Sequence, residues 1–266
     1  MIENQVIRRA IVTAVVLTLW AAGLHSGRAA DDASLLAAKG TLRVALIVSH
    51  TALVARDPDG KFSGVAVDLA KALADNLGAT PQWVPYDNPT RYNLSLGKNE
   101  WDVAFAPRDL SRTSQLAFSN PFMEADNGYV ARPGLSWAMA QDVDRAGIKV
   151  AVAQGSPLDG FLTRTLKNAE IVRVPAGLVE AREALSFGHA DVYADNTSEA
   201  YRIAAEVPGA TVLLGRFSAV QMTIAIPKSK LAALPMLNDF LAGAKRDGVI
   251  GDAIKRAGLR GVRPAH

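Results

Sequence analysis

The chain has 266 residues, of which 49% are hydrophobic and 21% charged, with 29 Lys and Arg against 26 Asp and Glu. That length and composition supply the core of one large domain or two smaller ones and exclude wholesale disorder. The charge surplus is small and no block of like charges occurs, so nucleic acid is not an indicated partner; the absence of Cys excludes disulfides, thiolate metal sites and Cys nucleophiles within this chain.

Residues 1–29 have the layout of a secretory signal peptide. Arg8 and Arg9 precede an apolar run from Ala10 to Ala22, and the small residues Gly27 and Ala29 stand before a cut ahead of Ala30. The alternative is an uncleaved anchor, but spanning needs roughly 20 apolar residues and this run is shorter. The expected product is a soluble, periplasmic protein.

The remainder alternates strand and helix. Leu42 to Val48 reads as a buried strand, and Asp57-Pro-Asp-Gly60 as a turn. Val67 to Leu77 reads as a helix stopped by Gly78, with Leu69, Leu73 and Leu77 on one stripe. A strand over Gln82 to Tyr86, a helix over Thr90 to Leu96, a strand over Asp102 to Ala106 and a short helix over Ser111 to Leu116 follow. A second series starts with the strand Lys149 to Ala153, and Gly155-Ser156-Pro157 opens a helix to about Lys167. Strands over Ile171 to Val174 and Asp191 to Ala194 alternate with helices over Leu178 to Phe187 and from Asn196 or Thr197 to about Ala205. The chain turns strand-like again over Gln221 to Ile226 and closes with helices over Met236 to Lys245 and Ile250 to Ala257. Such alternation predicts mostly parallel sheets with helices on both faces, and the meeting of the two series near Ala125 to Tyr129 predicts two lobes.

Familiar catalytic signatures are missing: no Walker loop, no G-x-G-x-x-G, no H-E-x-x-H and no nucleophile elbow. The four His residues are scattered, so no metal site is indicated. Three constellations carry chemistry. Arg112 stands just beyond the carboxyl end of a strand, where open α/β sheets place ligands, and its guanidinium can grip a carboxylate bidentately; the alternative is a solvated surface arginine. Gln154-Gly-Ser156-Pro157 runs a strand into a helix start, which is either an anion site or a plain N-cap with Pro at the first helical position. Asp195 follows an apolar strand and either pairs with an ammonium or caps a helix.

Together these residues resemble the family 3 extracellular solute-binding proteins, the polar amino-acid receptors of ABC importers. The resemblance runs from about Gly40 to about Arg256. It rests on Gly40-Thr-Leu-Arg-Val-Ala, Asp59-Gly-Lys-Phe-Ser-Gly-Val-Ala-Val-Asp, Trp101-Asp-Val-Ala-Phe, Arg112 with Ala117-Phe-Ser-Asn-Pro-Phe122, Val150-Ala-Val-Ala-Gln-Gly-Ser156 and Gly188-His-Ala-Asp-Val-Tyr-Ala-Asp195. It implies a two-lobed periplasmic-binding-protein-like fold of type II, each lobe a mostly parallel sheet flanked by helices. Lobe 1 would comprise 30–125 plus 221–266, and lobe 2 would comprise 126–220. It also implies that Arg112 grips a ligand α-carboxylate, that Ser156 adds donors from the second lobe, and that Asp195 takes the α-ammonium. No cofactor or metal is implied; the partners would be a small zwitterion or carboxylate and an inner-membrane ABC permease, with the receptor itself a monomer.

The sequence departs from the family around the pocket. Val65 replaces the usual aromatic, His50 is the nearest match to a second aromatic, and Pro107-Arg108-Asp109 replaces a Ser/Thr-rich stretch. Asp109 and Arg108 either form a new polar subsite, pair with each other or face solvent; His50 is either a pocket donor or a loop residue. The alternative function is a secreted enzyme on the same fold, a dehydratase or lyase acting on a small carboxylic acid, with Glu124, Asp109 or Glu199 as its acid or base.

Overall fold

A computed structural model describes residues 34–48, 50 and 53–266. The expected signal peptide lies outside the described residues. The first strand, β1 (Thr41–Ile47), is followed by a hairpin, β2 (Ala55–Arg56) and β3 (Phe62–Ser63), whose turn is the expected Asp57-to-Gly60 segment, closed by a Gly60 N–H to Asp57 C=O hydrogen bond of 2.9 Å. Helix α1 (Val65–Asn76) then buries Val65, Ala66, Leu69, Ala70, Leu73 and Ala74 along one side. Gly64 precedes it at φ 112°, and a Cβ there would lie 2.5 Å from the Leu53 carbonyl oxygen, so only glycine allows this approach. Strand β4 (Thr80–Tyr86), helix α2 (Pro89–Ser95) and strand β5 (Val103–Pro107) complete the first series.

The predicted short helix over Ser111 to Leu116 is corrected. A single 3₁₀ turn, Leu110–Arg112, is followed by strand β6 (Leu116–Phe118), which pairs with Pro227, Ile226 and Ala225. Leu116 and Ala117 find more burial in the sheet than a helix of so few residues could offer. Next come β7 (Met123–Ala131), β8 (Lys149–Ala153), α3 (Pro157–Thr165), β9 (Glu170–Val174), α4 (Leu178–Ser186), β10 (Val192–Asn196), α5 (Thr197–Glu206) and β11 (Thr211–Val212). The chain returns through β12 (Ser218–Pro227), α6 (Leu234–Arg246), α7 (Val249–Arg256) and β13 (Val262–Pro264).

The main sheet runs β4-β1-β5-β12-β7-β10-β8-β9. The triplets β4-β1-β5 and β10-β8-β9 are each parallel, as the two alternating series require, while β12 and β7 are antiparallel to their neighbours on this path. Two sets of apolar clusters follow. One draws on β1, α1 and β5 together with Ile224, Ile226, Leu237, Leu241, Ile250 and Ile254 from the far end of the sequence. The other is built around Tyr129, Val150, Val152, Val192 and Leu213, with Ala181, Leu185 and Ile203 on the opposite face. Strand β7 contributes Met123 and Ala125 to the first and Tyr129 and Ala131 to the second, so the crossing strands belong to both lobes.

Asp102 anchors the first lobe. It is 2% exposed and accepts from the Arg43 guanidinium at 2.8 Å, from the Arg43 backbone N–H at 2.8 Å and from Lys230 Nζ. Burial pushes its carboxyl upward, but these donors outweigh burial and hold the group below the ordinary carboxylate range. Trp101 beside it donates from Nε1 to Ser95 Oγ at 2.9 Å and stacks on Tyr92, which fixes α2 against the sheet.

Candidate functional site

The strand registers place the carboxyl ends of the two parallel blocks face to face. Pro107, the last residue of β5, pairs with Met222, which pairs with Met123 of β7. Asn196, the last residue of β10, pairs with Asn127 of β7. The opposed ends are therefore offset by the four steps from Met123 to Asn127, roughly 13 Å at 3.3 Å per residue. β1 ends beside β5, and β8 ends beside β10. His50, Arg112, Ser156 and Asp195 thus all follow or close strand ends that look into one interval bridged by β7 and β12.

On the first side, Arg112 ends the 3₁₀ turn after β5. Its Nε lies 2.7 Å from Asp109 Oδ2, and its Nη1 donates to Asn93 Oδ1 on α2. Asp109 also accepts from the Ser111 N–H at 3.0 Å and the Ser111 hydroxyl at 2.6 Å. The Ser111 bonds, and then the Arg112 charge, hold the Asp109 carboxyl below its ordinary range. The structure therefore brings Asp109 to Arg112, not to Arg108, whose side chain is exposed and makes no ion pair with a described residue. The sequence marks Asn93 only as the start of an Asn-x-Ser match, with nothing to place it at the site; it stands on a short helix that Asn88 caps.

His50 accepts at its carbonyl from the Leu53 and Val54 N–H groups, while its Nδ1 is buried without a hydrogen-bond partner among the described residues. Burial pushes the imidazole pKa down, which favours the neutral ring. Val65 was expected to line the pocket. As the first residue of α1 it is 0% exposed and packs inside the first core, because the helix turns this position inward.

On the second side, Ser156 is the N-cap of α3, its Oγ accepting from the Asp159 N–H at 3.1 Å. The N–H groups of the turn are occupied: Gln154 donates to Val174 O, Gly155 to Asp159 Oδ2 and Ser156 to Ala153 O. Asp159 thus fills the backbone anion position from within, and the Ser156 hydroxyl proton remains for an acceptor outside the turn. Asp195 lies in a cavity of about 290 Å³ together with Tyr193, Gly177 and Glu199. Burial drives its carboxyl up to about 6, with the nearby Glu199 charge adding to the rise and the Asn196 N–H opposing it. Among the described residues no cation pairs with Asp195, whereas Glu199 is held by Arg202 at 2.9 Å. Of the other carboxylates considered as acids or bases, Glu124 is paired with Arg263 and Asp109 with Arg112. Among the described residues no group of His, Asp and Glu could hold a metal ion, and no helix is long and apolar enough to cross a membrane.

Residues 42–257 match the family model of bacterial extracellular solute-binding proteins, family 3. The chain belongs to this family. Among curated relatives of this family 3 chain, the L-cystine-binding protein TcyJ of Escherichia coli (strain K12) is 23% identical over 91% of this chain and 92% of its own length. Cyclohexadienyl dehydratase of Pseudomonas aeruginosa is 26% identical, over 60% of this chain and 61% of the enzyme's length. Among solved structures, an ancestral arginine-binding protein bound to arginine superposes with a TM-score of 0.62 at 27% identity, covering 82% of this chain and 98% of that one. The two-lobed periplasmic-binding-protein-like fold is common to these neighbours and this chain, and a solute-binding protein is the class it represents.

Proposed function

We propose that the protein is the periplasmic receptor of an ABC importer and binds an amino acid or a related small carboxylate between lobe 1 (30–125 plus 221–266) and lobe 2 (126–220). The observation that carries this reading is the placement of an arginine and an aspartate on opposed strand ends, beyond Pro107 and at Asp195. A zwitterion spanning the interval presents its carboxylate to Arg112 and its ammonium to Asp195, with Ser156 donating from the second lobe. Each charge is read by a different lobe, so binding favours closure. Relatives that bind cystine and arginine by name support an amino-acid ligand. Delivery is to an inner-membrane permease, and the receptor acts as a monomer exported by its leader.

A calorimetric screen of the common amino acids tests this. One of them binds, and Arg112→Ala weakens that binding at least a hundredfold, about 2.7 kcal/mol. Full affinity in Arg112→Ala would refute the clamp.

One observation favours the second reading, a secreted dehydratase or lyase. Asp195, with its carboxyl raised to about 6 and no ion-pair partner among the described residues, is poised as a general acid or base, and one relative is by name a cyclohexadienyl dehydratase. Incubation of each ligand that binds with the protein, followed by mass analysis, separates the two: a receptor returns its ligand unchanged.

A further inference from the structure

The residues preceding β13 cross from the first lobe onto α5 of the second. The Ser198 hydroxyl donates to the Arg260 carbonyl at 2.8 Å and accepts from the Arg260 N–H at 3.2 Å. Gly261 sits so tightly on Thr197 that a Cβ at φ 66° would lie 2.5 Å from the Thr197 Cβ, so this seat admits glycine alone. Its carbonyl accepts from the Asp126 N–H of β7 at 2.8 Å. Arg260 is therefore fixed at both its backbone polar groups, and its guanidinium lies over the Tyr201 ring at 4.5 Å. It makes no ion pair with any described residue.

Beside this stacked cation is a cavity of about 680 Å³, within the usual range for small-molecule sites. Its second wall is the 212–216 segment, where Leu213 is buried and Leu214 is 63% exposed at the rim. The acidic residue of the wall, Asp126, is already held by Arg216 at 2.7 Å and Arg263 at 2.8 Å. Thr197 Oγ1, also in the wall, is buried and makes no hydrogen bond.

We infer that this cavity between α5, the 212–216 segment and Arg260 is a second ligand site, separate from the interlobe interval, for a monocarboxylate with an apolar body. A guanidinium stacked on an aromatic face keeps its N–H edge free for a planar carboxylate. The leucines give the rest of such a ligand an apolar surface, and the neutralised Asp126 does not repel it. The wall includes residues of the second lobe, of the crossing strand and of the segment arriving from α7. The inference does not rest on the proposed receptor role.

The test uses benzoate as probe and the full chain, with calorimetry at fixed salt. Benzoate binds the wild type and Arg112→Ala equally, and binds Arg260→Gln and Leu214→Asp at least tenfold more weakly. Leu214 is exposed, so its substitution leaves the fold intact, and unchanged thermal unfolding checks this. Absence of benzoate binding to the wild type overturns the inference. So does binding that is lost in Arg112→Ala but kept in Arg260→Gln, since benzoate would then occupy the interval between the lobes.

Discussion

The two sides of the interlobe interval solve the same problem in opposite ways. Arg112 is neutralised in place: Asp109 and Asn93 hold it before any ligand arrives. Asp195 is not. It is desolvated next to Glu199, no cation among the described residues pairs with it, and its carboxyl is pushed up to about 6. A ligand carboxylate therefore competes with an internal carboxylate for Arg112, whereas a ligand ammonium relieves a standing penalty at Asp195. Each side gains something different from the same zwitterion, and attraction to the second side is stronger in proportion to how poorly it is satisfied alone.

Breaking the foundation of the first side has the largest expected effect. Asp102→Ala leaves Arg43 and Lys230 without their shared buried carboxylate at the start of β5, the strand that delivers Arg112. Breaking such a buried pair costs about 3–5 kcal/mol, and denaturant unfolding should show that loss with an unchanged slope. On the second side, Asp195→Asn should raise stability while abolishing zwitterion binding. The sign follows from the direction of the shift. An acid whose folded pKa is raised to about 6 destabilises the fold as pH rises from the ordinary carboxylate range through 6, and the penalty is complete above it. Asp195→Asn should therefore be the more stable protein above pH 6, by up to about 3 kcal/mol, and match the wild type near pH 3. Thermal melts across that range check it, and a wild type with the same pH dependence as the variant would contradict the asymmetry. Ser156→Ala should cost about 1 kcal/mol through loss of the α3 cap alone, read as a fall of roughly 2–4 °C in Tm. The smallest effect sharpens the comparison most. Asp109→Asn removes the internal competitor for Arg112, so ligand affinity should rise a few-fold with little change in stability, because the pair is about one-third exposed and solvent screens it.

Both alternating series were legible because their strands and helices announce themselves locally. Lys149 to Ala153 is an apolar run that forms a strand with those limits, and Gly78 stops α1 as a left-handed glycine should. The crossing strand β7 was not read as one strand. Its segment Met-Glu-Ala-Asp-Asn-Gly holds two acids and a glycine, and its pairing depends on β12, β13 and β10, all distant in sequence. Short pieces such as β6 were misread for the same reason: Leu116 is apolar in either conformation, and only the partner strand decides. At the candidate site, the positions of Arg112, Ser156 and Asp195 relative to their strands could be read from the chain. What each side chain does there could not. Asp109 had two basic neighbours within reach, Arg108 and Arg112, and the 3₁₀ turn selects the second by spacing it three residues away.

The first core also sets an order on how the molecule can be made. Its interior joins residues near the start of the described chain, such as Leu42 and Leu69, to Ile224, Leu237 and Ile254, while the second core is drawn from one unbroken stretch that runs from β7 to Leu213 and Phe217, just beyond β11. A chain of which only residues up to Phe217 have emerged holds everything the second core needs and leaves the first without its closing helices. The second core can therefore close before the first, and a product truncated within α6 would retain the aspartate-bearing half as its best-formed part.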